Sequence, residues 1–245
     1  MKVLPPPPWG RNLDNVCAFV TTRQGGVSKG QYSSFNLATH VGDDPALVAR
    51  NRRLLVQQHN LPDLPIWLNQ VHGNGVVYAD DVAAGKPEES GVLPDADAII
   101  SRRANQVLAI QIADCLPVLL VGDGQIAAIH AGWRGLAGGV IAETVAKMGA
   151  SDVAAWLGPS IGPCHYEVDA VVRDALATYP EHFVAAGSAH WRLDLRGVAR
   201  RQLGDCGIAD IVQSLDCTAC EESLFSYRRD GECGRMAMLA WMIGD

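Results

Sequence analysis

The sequence predicts an α+β domain built on mixed β-sheets, and three observations carry that expectation. Short apolar runs suited to strands crowd the middle of the chain, amphipathic helical stretches flank them, and several runs follow one another through very short turns. Turns such as Val121-Gly122-Asp123-Gly124-Gln125 cannot hold a crossover helix, so antiparallel pairs are required and a purely parallel sheet is not expected.

Strand-like segments are Val16–Thr21, Ile66–Gln70, Val76–Ala79, Asp97–Ser101, Val107–Ile112, Val118–Val121 and Ile126–His130, while Ala154–Leu157 and Met236–Trp241 carry a weaker pattern. Helical periodicity covers Pro45–His59, Leu136–Met148, Val168–Ala177 and Leu195–Leu203. In the first of these, Leu47, Val48, Leu54 and Leu55 form one apolar arc with Asn51 inside it and Arg52 at its edge. A half-buried Arg52 needs an anion or another hydrogen-bonding partner, either a bound phosphate or an acidic side chain, whereas Arg50 and Arg53 point to solvent. The interval Ala83–Leu93 reads as a surface loop.

Composition bounds the function. The chain has 245 residues, 48% hydrophobic and 19% charged, which suits one packed domain spanning residues 1–245. A formal net charge of −7 argues against a nucleic-acid or anionic-membrane footprint, so an anionic substrate requires a local arginine cluster. The first ten residues hold four consecutive prolines and no signal-like apolar run, and the most apolar stretch, Val107–Ala131, is interrupted by Asp114, Asp123 and Gly124. A cytoplasmic protein is expected. Seven unevenly spaced cysteines then read as thiols or metal ligands rather than a disulfide framework.

Three islands place reactive side chains at strand ends: Asn69-Gln70-Val71-His72-Gly73, Ala113-Asp114-Cys115-Leu116-Pro117, and His130-Ala131-Gly132-Trp133-Arg134-Gly135. Two imidazoles and a thiolate make a ligand set for catalytic zinc, whose open fourth position can activate water or orient an anion. The same atoms also allow a metal-free reading, with Cys115 as nucleophile and His130 as its general base. Arg134 is expected just before a helix starting near Leu136, where free backbone N–H groups favour phosphate, and Arg23 in Thr-Arg-Gln-Gly-Gly-Val-Ser is a further anion candidate if that segment is more than a Gly-Gly turn. Two motifs carry less weight. Gly122–Ala127 fits a dinucleotide fingerprint but leads into a strand, and Cys217-Thr218-Ala219-Cys220 fits a metal or redox pair that needs Cys206 or Cys233 to complete a zinc site.

The chain closely resembles the YfiH-like family through TTRQGGVS, SSFNLATHVGDDP with NRRLL, WLNQVHG, PDADAII, ADCLPVLL, IHAGWRGL, GPSIGPCHYEV and FSYRRDGECGRMA. The resemblance implies an α/β/β/α layered single domain and zinc held by His72, Cys115 and His130, with copper a lesser alternative. It further implies phosphorolysis of adenosine, inosine and methylthioadenosine, together with adenosine deamination. Asp114 is then a candidate proton donor. Arg52, Arg134 and Arg23, with Asn36 and Gln70 from the same motifs, are candidates for phosphate or substrate contact in a monomer or homodimer. Two other chemistries stay open: a cysteine amidase acting on a cell-wall precursor, and a copper-dependent polyphenol oxidase. With only seven histidines, none separated by a single residue, a multicopper cluster lacks ligands. Cys233 departs from the family, where threonine is common, which leaves an extra thiol contact near the site an open question.

Overall fold

The computed structural model describes residues 2–11, 13–82 and 93–244, so the loop expected over Ala83–Leu93 falls, except for Leu93, outside them. In chain order the strands are β1 (Val3–Leu4), β2 (Val16–Thr21), β3 (Val76–Tyr78), β4 (Ala98–Ser101), β5 (Leu108–Ile112), β6 (Leu116–Gly122), β7 (Gln125–Ala131), β8 (Ala154–Leu157), β9 (Glu167–Val168), β10 (Phe183–Ala185), β11 (Trp191–Leu193), β12 (Asp210–Gln213) and β13 (Met236–Met242). The helices are α1 (Pro45–His59), α2 (Trp133–Ala137), α3 (Val140–Met148), α4 (Ala170–Ala175), α5 (Leu195–Asp205) and α6 (Tyr227–Asp230).

One sheet runs β1-β2-β13-β5, all antiparallel. A second runs β12-β8-β6-β7-β4-β3, with parallel pairs at both edges and antiparallel pairs between them. A small sheet, β10-β11-β9, shares no strand with the other two and packs Val168 and Leu193 into the helical side of the core. The alternation of side chains explains the layering. On β6, Leu116, Val118 and Leu120 pack against α2, α3 and α5, while Leu119 and Val121 pack against the first sheet. On β13, Met236, Met238 and Ala240 face the second sheet, while Ala237 and Leu239 face Leu55 of α1. Strands covered on both faces lose the apolar-polar alternation, which is why these runs read as continuously hydrophobic. The resulting order is helix, sheet, sheet, helices, an α/β/β/α stack. Among the described residues no helix is long and apolar enough to cross a membrane.

Local chemistry sets the element ends. Asp44 caps α1 by accepting from the Ala46 N–H at 2.8 Å, Pro45 opens the helix, and Asn60 closes it in the left-handed region at φ 47°. The hairpin at Gly122-Asp123-Gly124-Gln125 forms as expected, with Gly122 paired to Gln125.

Three expectations need correction. Ile66–Gln70 is not a strand but two isolated bridges, Ile66 to Leu108 and Asn69 to Asp95. At Gln70 the side-chain amide takes over the pairing, accepting from the Gln111 N–H at 2.7 Å and donating to its carbonyl at 2.9 Å. The helix expected over Leu136–Met148 starts earlier and breaks into α2 and α3 at Gly138-Gly139, where Gly139 has φ 79°. The helix expected over Val168–Ala177 shortens to α4, because Glu167 and Val168 pair with β11 and Asp169 caps the next turn through Val172 N–H.

Candidate metal centre and active-site cavity

The chain passes from the first sheet to the second between β5 and β6, and Cys115 is the last residue of that crossing. Asp114 beside it has φ 89°, a conformation in which Asp is tolerated better than bulkier residues. Next to β6 lies β7, whose His130 is paired with Pro117, so Cys115 and His130 reach the same sheet end. His72 arrives from the turn after Gln70, itself at φ 61°. The ligand atoms of His72, Cys115 and His130 lie within 4.8 Å of one another, and the two imidazoles meet edge to face with centroids 4.7 Å apart. Gly132 leaves the room for this meeting: a Cβ there would stand 3.0 Å from Cys115 Sγ and 3.3 Å from His72 Cδ2.

Asp97, fully buried just before β4, fixes both histidines. Its carboxylate accepts from the His72 and Gly73 N–H groups at 3.0 and 2.6 Å and meets His130 Nδ1 at 2.8 Å. That contact turns the other ring nitrogen, Nε2, toward the cluster. Burial pushes the Asp97 carboxyl up, but the hydrogen bond and charge of His130, with the two backbone donors, hold it below its ordinary value. Burial likewise opposes ionisation of Cys115, yet attraction to His130 and hydrogen bonds from both imidazoles bring the thiol down to about 6. For His130 the burial penalty is outweighed by the Cys115 thiolate and Asp97, which push it up to about 9. The pair therefore favours thiolate, the form in which sulfur binds a metal. The donor set and its outer carboxylate fit a cation such as zinc.

These groups open onto a cavity of about 420 Å³ lined also by His40, Gln70, Gln111, Asp114, Trp133, Arg134, Ile161, Tyr166, Tyr227, Arg228 and Arg235. Burial raises the Tyr166 phenol above its ordinary range, with the Cys115 charge adding to it, so this hydroxyl stays protonated. Gln111 Oε1 is buried and has no hydrogen-bond partner among the described residues.

Of the residues singled out from sequence, His72, Cys115, His130, Asp114, Gln70 and Arg134 line the cavity, while Arg52, Arg23 and Asn36 do not. Arg52 donates through Nε to Leu37 O at 3.0 Å, lies 4.2 Å over the Trp67 ring and lines a separate groove of about 620 Å³ along α1. Arg23 braces the fold, donating to Ser33 O, pairing with Asp230 at 3.4 Å and covering Phe225. Asn36 is fully buried and accepts from the Arg235 N–H at 2.9 Å, so it reaches the cavity only by holding a neighbour. Arg134 sits within the five-residue helix α2 rather than before a longer one, and its guanidinium stacks on Trp133. Asp114 lines the cavity and accepts on both oxygens, from Thr218 Oγ1 at 2.6 Å and the Arg228 N–H at 2.7 Å. The Cys233 thiol is buried and does not line the cavity, and Nη1 of the lining Arg235 stands 3.7 Å from it.

Arg228, Arg235, Tyr166 and Asp97 escaped residue-by-residue reading. Their only signal is that they fall inside the motifs FSYRRDGECGRMA, GPSIGPCHYEV and PDADAII.

Residues 17–243 match the family described as multi-copper polyphenol oxidoreductase laccase. The chain is 42% identical over 236 residues to the purine nucleoside phosphorylase YfiH of Escherichia coli strain K12, covering 93% of this chain and 94% of that protein. It is 41% identical over 238 residues to the purine nucleoside phosphorylase of Haemophilus influenzae, with the same shares covered. Among solved structures, the Neisseria meningitidis protein NMB0706 aligns at a TM-score of 0.89 and 42% identity, covering 100% of both chains. YlmD from Geobacillus stearothermophilus aligns at 0.88 and 34% identity, covering 94% of this chain and 93% of that one. With a match across nearly its whole length and relatives this similar, the chain belongs to the YfiH-like family, described as multi-copper polyphenol oxidoreductase laccase.

Proposed function

We propose that the protein is a purine nucleoside phosphorylase with zinc at His72, Cys115 and His130. In this reading it cleaves adenosine, inosine and methylthioadenosine with phosphate to free base and pentose 1-phosphate, and it deaminates adenosine in the same cavity. The observation that carries the reading is one cavity in which the His/Cys/His cluster stands with Arg134, Arg228 and Arg235 among aromatic side chains. The relatives named purine nucleoside phosphorylase supply the substrate class.

Zinc bound at the three ligands supplies Lewis-acid charge stabilisation beside the substrate. The protein's own groups account for the rest. Three guanidiniums bind phosphate and orient one oxygen beneath C1′, with the planar donor fork that matches phosphate oxygens. As the C1′–N9 bond opens, its electrons pass to the purine, positive charge builds on the sugar, the held phosphate oxygen forms the new bond to C1′, and the proton of the monohydrogen phosphate passes to the departing base. Trp133, Tyr166 and Tyr227 offer faces for the base, and the Tyr166 hydroxyl remains a neutral donor. Gln111 Oε1 supplies a buried acceptor for a nucleoside N–H or O–H. Asp114 keeps Arg228 in place through the backbone N–H.

Incubation of purified, zinc-loaded protein with adenosine and phosphate is expected to yield adenine, inosine and ribose 1-phosphate. Absence of all three, with contaminating enzymes excluded, rejects the proposal. A second reading rests on the Cys115–His130–Asp97 alignment, which is also that of a cysteine hydrolase such as an amidase. Chelation separates the two: a hydrolase would keep or gain activity without metal and would trap an electrophile on Cys115, whereas the phosphorylase is expected to lose activity.

A further inference from the structure

A second group of metal-type ligands lies outside the cavity lining. Cys164 and His165 stand in the loop after β8, and Cys217 and Cys220 in the segment after β12. β8 and β12 are parallel neighbours, from Ala154 opposite Asp210 to Leu157 opposite Gln213, so the two loops leave the same sheet end. A bridge between Ser160 and Cys217 prolongs that pairing, with the Thr218 N–H donating to Ser160 O at 3.1 Å. The chain then folds back, and the N–H groups of Cys220 and Glu221 both reach Cys217 O at 3.0 Å. This turn sets Cys217 and Cys220 on one side, facing Cys164 and His165. Cys206 and Cys233, the partners expected for this pair from sequence, do not join the group.

The distances are those of a shared cation. Cys164 Sγ stands 3.6 Å from both Cys217 Sγ and Cys220 Sγ, and His165 Nδ1 stands 3.3 Å from Cys164 Sγ, 3.3 Å from Cys220 Sγ and 4.0 Å from Cys217 Sγ. Tetrahedral zinc with ordinary bond lengths puts its sulfurs about 3.8 Å apart and its sulfur and nitrogen ligands about 3.6 Å apart. A disulfide would instead draw one pair to about 2.05 Å and release the third sulfur. Here one sulfur is equidistant from two others, and all seven cysteines are free. The Gly162 N–H donates to Cys217 Sγ at 3.1 Å, and a Cβ at Gly162 would come within 3.3 Å of Cys164 Sγ, so the loop leaves room for the group and adds a donor to its buried sulfur.

We infer that Cys164, His165, Cys217 and Cys220 form a structural zinc site, distinct from the cluster at Cys115. Three thiols bind as thiolates, their protons pass to solvent, and the imidazole completes four ligands, leaving no open position for substrate. One of the two loops it joins lines the cavity, and the other holds a lining residue in place. One carries Ile161 and Tyr166, and the other carries Thr218, whose hydroxyl holds Asp114 at 2.6 Å. Arg228 closes the link by donating to His165 O and Glu167 O at 3.3 and 2.7 Å.

The test uses full-length protein produced with zinc in the medium and purified without added metal. Cys115→Ala removes the cavity ligand set, and that variant is expected to retain about one zinc per chain with a shell of three sulfurs and one nitrogen by X-ray absorption. Adding Cys220→Ser is expected to remove this zinc, while Cys220→Ser alone keeps only the zinc bound at Cys115. If the cysteine variants fold poorly by circular dichroism, cobalt titration of stripped wild-type protein replaces them. Two equivalents are then expected, one with the strong charge-transfer band of a three-thiolate site. Folded Cys115→Ala protein without zinc, a shell poor in sulfur, or a single weakly absorbing cobalt site would overturn the inference. None of these readouts depends on nucleoside cleavage.

Discussion

Asp97 is the side chain on which the geometry of the cluster turns, because one buried carboxylate orients the His130 ring and the backbone that carries His72. Asp97→Asn replaces an acceptor with an amide whose N–H₂ faces existing donors. Metal affinity is expected to fall about 10- to 100-fold, read by competition with a chelator of known affinity. Unchanged affinity would remove Asp97 from the account. The arginines separate in the same way. Arg134→Ala or Arg228→Ala is expected to raise the KM for phosphate about tenfold or more, from loss of a charged hydrogen bond, while Arg52→Ala leaves it unchanged. Steady-state kinetics with phosphate varied decides this, and an effect confined to Arg52 would relocate the phosphate site. His72, Cys115 and His130 were legible in the sequence because each stands out chemically at the end of an apolar run. Arg52 was expected near phosphate but lies outside the cavity, because helical periodicity shows that a side chain is half-buried but not what it faces. Its partners, the Leu37 carbonyl and the Trp67 ring, come from elsewhere in the chain. Arg228 and Arg235 sit in a short helix and a loop with no local pattern that marks them.

Elements rather than single residues hold the loops that surround the site, and α1 shows how. Asn51, on its buried face, donates through Nδ2 to Ser28 Oγ and Asn36 O at 2.9 Å each and accepts from the Val27 N–H, also at 2.9 Å. One amide thus fastens the loops on either side of Ser33 to the helix and, through Asn36, to the Arg235 backbone. Asn51→Ala leaves buried groups unsatisfied and is expected to cost about 2–3 kcal/mol in urea unfolding, with a cost below about 0.5 kcal/mol counting against this role. The sequence placed Asn51 inside the apolar arc, but a polar residue there does not announce its partners. Elements with a strong period were legible: α1, the hairpin at Asp123-Gly124, and the central strands. Those governed by a side chain acting as backbone were not. Gln70 substitutes for a strand partner, and Asp169 caps a helix that periodicity alone would have started two residues earlier and extended two further.

At the scale of the whole molecule, the site depends on two sheets being held face to face, since Cys115 sits where the chain crosses between them. Trp156 of β8 is fully buried in the layer between the sheets and donates from Nε1 to Ser214 Oγ at 3.2 Å. Trp156→Ala is expected to lower stability by about 3–5 kcal/mol and to loosen the crossing, so that metal content falls along with the unfolding midpoint. A destabilised variant with full metal content would uncouple the site from the packing. Antiparallel pairing was readable from short turns, but the division into two stacked sheets was not, because strands covered by a helix layer and strands covered by a sheet layer carry the same unbroken apolar runs. The central claim is that the His72, Cys115 and His130 cluster is the reaction centre of a nucleoside-cleaving enzyme. Its most direct measurement is release of adenine and ribose 1-phosphate from adenosine and phosphate, comparing zinc-loaded wild type with folded Cys115→Ala protein. Product from the wild type and none above background from the variant is the expected result; equal product from both, or none from either, would contradict it.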